Sequence, residues 1–489
     1  PAYPGFKDSH AHVLDLGYLR LNVDLIDASD FDEVVARVSR AAQQHPQGSW
    51  IVGRGWHEAK WSRAPPDAVR GFPVHARLSA ATPDHPVVLE RADGHALLAN
   101  ARAMQAARVT RATAVPSGGE IVRDAAGEPT GVFVDEAMGL IRPPPPSAET
   151  KHRALALAFD ESLRLGVTGI DDAGADLDTI ALYKELGAGG KLPIRLYVML
   201  SGADALRAVP RPEVGLANGF LTIRAVKLYA DGAFGSRGAA LLEPYADDPG
   251  NSGLTVTPPG KLASAIRLAL ARGFQVSTHA IGDRGNRIVL DLYERELARA
   301  GGADRRLRIE HAQMLDAADI PRFARLGVIA SMQTIHATSD RPWAADRIGL
   351  ARLKEGAYAW RKLLSSGARI ANGTDAPVEP LDPIRNFYAA VTRMNERGQP
   401  AGGFDPEERM TRAEALRAMT LDGAYASFQE RELGSLVTGK RADIVVLSGD
   451  IMTLPEARIL ESRVEYTIVG GKVAYEAHAA GAARQARPL

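Results

Sequence analysis

A parallel eight-stranded (β/α)8 barrel, in the α/β class, is the fold this sequence predicts, and three observations predict it. From residue 147 onward, helical and strand-like segments alternate along the chain. Several of the strand segments are continuous apolar runs, as expected of strands covered on both faces. Counting one further strand near the start gives eight, and eight repeats favour a closed barrel over an open doubly wound sheet.

The first strand is Phe6 to Ser9, led by the turn residues Pro4 and Gly5 and running into His10-Ala-His12. Alternate strand residues point the same way, so His10 and His12 project together and could grip one divalent ion. Between Leu21 and Arg142 the alternation lapses. Phe31 to Ala42 has helical spacing with Asp30 as its cap. Ser49-Trp-Ile-Val-Gly and Pro86-Val-Val-Leu-Glu are strand-like, and Gly118–Asp124 with Gly131-Val-Phe-Val reads as a hairpin. Trp50, Trp56 and Trp61 cluster here, as a small core or as a lid over a mouth. His57-Glu58 begins like a zinc-protease helix, but Trp61 stands where the second histidine would be, which excludes that site. Pro143 to Pro146 closes the section as a rigid connector.

Helices at 148–165 and 178–187 then lead into strands at 166–174 and 193–200. Strands follow at Arg224–Gly232, Gln275–Asp283, Leu307–Met314, Val328–Gln333 and Ala368–Pro377. Gly187-Ala-Gly-Gly-Lys191 lacks phosphate-loop spacing and reads as a helix terminus. Thr411 to Phe428 reads as one amphipathic helix opened by a Thr411/Glu414 capping box. The last dozen residues, rich in Ala, Gly and Arg, are expected to fray. A barrel needs only ~250 residues. The domain reading is therefore residues 1–20 with 147–430 as the barrel, 21–146 as an inserted entrance region, and 431–489 as a small β-sandwich segment.

Composition narrows the chemistry. Lys plus Arg equals Asp plus Glu at 59 each, so no global charge steers the chain to nucleic acid or an anionic membrane. There is no cysteine, which excludes disulfides, thiolate nucleophiles and thiolate zinc sites. No apolar run reaches the ~18 residues of a membrane span and no signal peptide is visible, so a cytoplasmic protein acting on a small molecule is expected, with a homodimer as a candidate state.

A barrel's reactive groups sit where its strands end. Those ends carry His10 and His12, Lys227, His279, His311, His336 and Asp375. Each alone has a structural reading; His279 or His311 could be a hydrogen-bonded core histidine, and Asp375 a helix cap. A lysine between Val226 and Leu228 is odder, because a buried ammonium is costly. Together at one rim they point to a metal site.

Six stretches carry a family resemblance: Pro4–His12, Val226-Lys-Leu-Tyr-Ala-Asp-Gly-Ala-Phe-Gly-Ser-Arg, His279-Ala-Ile-Gly-Asp, Ile309-Glu-His-Ala-Gln, Gly373-Thr-Asp-Ala-Pro-Val and Gly434–Leu447. The chain resembles the amidohydrolase-superfamily metallohydrolases, in the family 3 or YtcJ-like branch related to N-substituted formamide deformylase. The resemblance implies two divalent ions, zinc first, then manganese, iron or cobalt. His10, His12 and Asp375 would hold one ion, and His279 and His311 the other. Lys227, carboxylated by carbon dioxide, would bridge them. The ions would acidify a water, and Asp375 would act as general base, then acid. His336 would stabilise the oxyanion. The resemblance also implies an N-terminal half of the sandwich, which is expected to be absent here.

Candidates for substrate contact are His95, in an Asp-Gly-His turn, with Asp231, Arg237, Asp283 and Trp343. Asp231, Arg237 and Asp283 could equally be caps or ion pairs. The expected activity is hydrolysis of a non-peptide carbon–nitrogen bond in an N-acyl or N-formyl compound. Deamination, cyclic amide or ester hydrolysis on the same site, and a non-catalytic metal-binding homologue, are the alternatives.

Overall fold

The computed structural model describes residues 1–65, 67–301 and 304–477. The expected fraying of the last dozen residues lies outside them. Eight parallel strands form the central sheet: β1 (Phe6–Ala11), β2 (Val167–Ala175), β3 (Arg195–Ser201), β4 (Leu221–Tyr229), β5 (Gln275–Ala280), β6 (Arg308–His311), β7 (Ile329–Met332) and β8 (Arg369–Asn372). Each pairs with the next in chain order, from β1 through β8. The ring is nearly closed where β8 returns to β1. There the Asp375 amide donates to the His10 carbonyl and the His12 amide to the Ala376 carbonyl, each at 2.7 Å.

Outward side chains such as Ile170, Val198, Val226 and Ile309 pack under the surrounding helices in one large core. The barrel interior is divided differently. Ala173, Tyr197, Met199 and Ala225 form a small apolar cluster on one side. Lys7, Asp171, Arg308 and Glu310 fill the other side with buried, paired charge. A barrel interior is ordinarily filled by branched apolar residues, so this polar half is unusual.

Residues 21–146 contain a six-stranded mixed sheet. Strand alternation sends its side chains to two separate cores. Leu89, Leu98 and Val132 face one with Phe31 and Trp56, and Val88, Leu97 and Phe133 face the other. Asp30 caps the helix Phe31–Ala42 by accepting from the Glu33 amide. Trp56 and Trp61 are core residues here, 6.3 Å apart, and Trp50 packs against the opposite core. None of the three lines the barrel mouth.

One expectation needs correction. Thr411–Phe428 is two helices, Arg412–Ala418 and Leu421–Ala426. The capping box at Thr411 and Glu414 forms. The break comes at Thr420, whose hydroxyl bonds back to the Leu416 carbonyl and whose φ of −136° and ψ of −88° are non-helical. The C-terminal segment, among the described residues, contributes three strands to a four-stranded antiparallel sheet. Its outer strand is Ala2–Pro4, paired with Ile444–Leu447. Helix Ala148–Arg164 packs against its strands Val464–Val469 and Lys472–Glu476. No helix among the described residues is long and apolar enough to cross a membrane.

Candidate metal centre

The barrel strands deliver a ring of imidazoles to the C-terminal mouth. His10 ends β1 and is fully buried; His12 caps the next helix and is partly open. Their rings lie 5.6 Å apart and nearly perpendicular. His311 ends β6, with its ring 4.8 Å from His10 and 4.6 Å from His279 at the end of β5. His336 sits in the first turn of the helix after β7, stacked 6.3 Å from His311. Asp375 follows β8 and faces them all. Its Oδ1 approaches His12 Nε2 to 3.2 Å and His10 Nε2 to 3.5 Å. Its Oδ2 is 4.0 Å from both His311 and His336.

His311 and Asp375 both adopt left-handed backbone, with φ of 75° and 61°. Such conformations cost of order 1–3 kcal/mol and gather at functional sites. Here the carboxylate of Asp8 stitches the first and last strands together. It accepts from the His10 and Thr374 amides and the Thr374 hydroxyl, which fixes where His10 and Asp375 point.

The donor set fits a metal. Asp375 Oδ1 and His336 Nε2 are buried atoms without a hydrogen-bond partner, an arrangement that is expensive unless something else is bound there. Among the described residues, two groups bring three ligand atoms within 4.8 Å of one another: His10, His12 and Asp375, and His311, His336 and Asp375. Burial, followed by the Lys227 ammonium, lowers His10 to about 4. Burial likewise holds His279 and His311 well below the usual imidazole value. All three are therefore neutral at pH 7, with a lone pair to give. Burial raises the Asp375 carboxyl, but its contacts with His10, His12 and His311 lower it further than burial raises it.

The second group differs from the expected pairing of His279 with His311. His279 Nε2 faces the Gly232 carbonyl at 3.3 Å and Asp231 at 3.6 Å, while His336 stands beside His311. Lys227 is buried, with Nζ 3.2 Å from His10 Nε2 and 4.9 Å from the centre of the Tyr229 ring.

The cleft has two lobes that share His95, His279, His311 and Asp375 in their walls. One is lined by Trp343, Phe234 and Ile281. The other is polar, with Asp15, Arg54 and Glu90 in its wall. His95 enters from the inserted sheet. Burial lowers its pKa, but a 2.6 Å hydrogen bond to Asp135 outweighs this and raises it above the usual value.

Asp231, Arg237 and Asp283 do not line the cleft. Asp231 is wholly buried and accepts from the Ala240, Ile281 and Gly282 amides. Asp283 accepts from Leu242 and Arg284 amides, and Arg237 pairs with Asp247. All three organise loops, because their hydrogen-bonding capacity is spent on backbone or on a partner charge.

Sequence reasoning missed His57, Lys60, Gln313, Asp340 and Glu379 in the cleft wall. His57 lies between the Arg91 guanidinium and the Trp343 ring, 5.4 Å from the latter. Asp340 bonds Gln313 and the Tyr358 hydroxyl. Its spacing was a usable signal, since His336, Asp340 and Trp343 fall on one helix face.

Comparison with known proteins decides the family. The amidohydrolase family model matches residues 2–475. The chain belongs to the amidohydrolase family. This amidohydrolase is 35% identical to the putative amidohydrolase YtcJ of Bacillus subtilis, over 97% of this chain and 89% of that one. It is 28% identical to the N-substituted formamide deformylase of Arthrobacter pascens, over 97% and 88%. An uncharacterized metal-dependent hydrolase from Pyrococcus horikoshii superposes with a TM-score of 0.73 at 28% identity, covering 93% of this chain and 87% of that one.

Proposed function

We propose that this amidohydrolase cleaves a non-peptide carbon–nitrogen bond, in a linear N-acyl or N-formyl compound, with two divalent ions, zinc first, at the histidine cluster. The observation that carries the proposal is Asp375 Oδ1, buried without a hydrogen-bond partner among neutral imidazoles that need a cation to bring them together. The formamide deformylase relative supports the choice of bond.

When bound, the ions supply Lewis-acid polarisation and a water made acidic near neutral pH. His10, His12 and Asp375 would hold one, and His311 with His279 or His336 the other. Lys227 is the residue that carbon dioxide would carboxylate, its ammonium losing two protons in all as the carbamate forms, which would replace a cation by an anion where metal ligands converge. Asp375 takes a proton on its carboxylate and returns it to the leaving nitrogen. His336, with Nε2 unpartnered, is placed to donate to the carbonyl oxygen. Trp343 and Phe234 hold the apolar arm of the substrate and exclude water from it.

The test is a panel of N-acyl amino acids, formamides, lactams and esters offered to protein assembled with zinc and bicarbonate. Linear amides should turn over fastest, and a chelator should abolish the activity until zinc is returned. Turnover confined to esters or lactams, or undiminished after chelation, would refute the proposal.

A further inference from the structure

A chain of alternating charges runs through the barrel interior beneath the histidine cluster. Lys7 Nζ meets Asp171 at 2.5 Å, and Asp171 meets Arg308 at 2.7 Å. Arg308 grips Glu310 through Nε at 2.7 Å and a terminal nitrogen at 3.1 Å. Its guanidinium is fixed further by the Ser9 carbonyl and the Ser331 hydroxyl. At the top of the chain, Glu310 Oε2 lies 2.5 Å from His10 Nδ1. All four charged residues are between 0 and 6% exposed.

Buried ion pairs seldom stabilise more than well-packed apolar residues of the same volume, so stability does not explain this one. Its geometry does something else. The Arg308 guanidinium donates to both oxygens of Glu310, and Oε2 of that paired carboxylate faces His10 Nδ1, so Nδ1 is the nitrogen that carries the proton. The lone pair is left on Nε2, the atom facing Lys227 at 3.2 Å and Asp375 at 3.5 Å. A carboxylate on the far nitrogen of an imidazole both orients the ring and makes it a stronger metal ligand.

We propose that Glu310, clamped by Arg308, is a positioning residue that locks His10 in the Nδ1–H tautomer and so delivers Nε2 to the metal cluster. The proposal rests on the metal reading of the site. Nothing in it requires Glu310 to touch substrate.

Two measurements separate the proposal from the reading beneath it. Nitrogen-15 spectra of the metal-free protein should show His10 with a protonated Nδ1 and a bare Nε2. A protonated Nε2 with a bare Nδ1 would overturn the proposal whatever the metal does. Zinc alone, titrated against a chromophoric chelator, should bind Glu310→Gln some 10–100-fold more weakly than wild type. If wild type binds no zinc, the metal reading fails, while the spectrum still reports the tautomer. Should Glu310→Gln fold poorly with two buried cations, Lys7 and Arg308, left to share Asp171, the double variant Arg308→Met/Glu310→Gln leaves only the balanced Lys7–Asp171 pair. It should show the same loss of zinc affinity. Wild-type affinity in either folded variant, with only a lower melting temperature, would make Glu310 merely structural and sink the proposal.

Discussion

Replacing Asp375 with asparagine should separate catalysis from folding at one position. The residue sits in left-handed backbone at φ 61°, which asparagine tolerates about as well as aspartate. Its amide donates to the His10 carbonyl at 2.7 Å, a bond the substitution leaves alone. Its side chain accepts no backbone donor, and Oδ1 has no partner to lose. Asparagine keeps the left-handed backbone at low cost, so the metal-free Asn variant should unfold at a higher denaturant concentration than the Ala variant. Asp375→Ala should be weaker by about 1–2 kcal/mol, the penalty of a left-handed alanine. Activity should move the other way. Loss of a general base costs ~10²–10⁴-fold, or about 3–5 kcal/mol of barrier at 1.36 kcal/mol per decade. The histidines should keep metal bound, as elemental analysis would show. The reasoning fails if the Asn variant retains more than a tenth of wild-type turnover. It fails equally if that variant is destabilised as much as the Ala variant.

Lys227→Ala should drop zinc content below two equivalents and turnover with it, because the anion shared by two dications is gone. Formate, acetate or propionate should partly restore turnover to this variant but not to Asp375→Asn; two equivalents and full turnover without acid would contradict the bridging role. Glu414 tests pH dependence away from the cluster. Its bond to Arg361, together with those to the Thr411 amide and hydroxyl, pulls its pKa from 4.5 down to about 2. A depressed carboxylate contributes stability above its unfolded pKa and loses it as pH falls toward the folded one. The gap between wild type and Glu414→Gln, measured by urea unfolding, should be full at pH 6–7 and narrow between about pH 4.5 and 2. A gap that ignores pH would show that the charge contributes nothing.

The sequence determined the barrel because its evidence is local. Parallel strands buried on both faces read as near-continuous apolar runs, so Leu196–Leu200 announces itself without knowledge of its neighbours. Caps are equally local: Asp30 and Thr411 each satisfy amides three residues away. The rim histidines, Lys227 and Asp375 were legible because strand ends in a barrel share one mouth, which turns scattered positions into one site. What the sequence could not supply were pairings across hundreds of residues. Alternation along β6 marks Glu310 as facing inward with Arg308, but only the closed barrel brings its carboxylate to His10, 300 positions away. Asp231 and Asp283 resemble active-site carboxylates until the folded loops place amides on their oxygens. His57 was dismissed with its motif, yet the inserted sheet carries it to Trp343. Periodicity fixes which way a side chain faces; the identity of the group it meets is set by packing between distant segments, and at this site that packing decides which atoms are left free for chemistry.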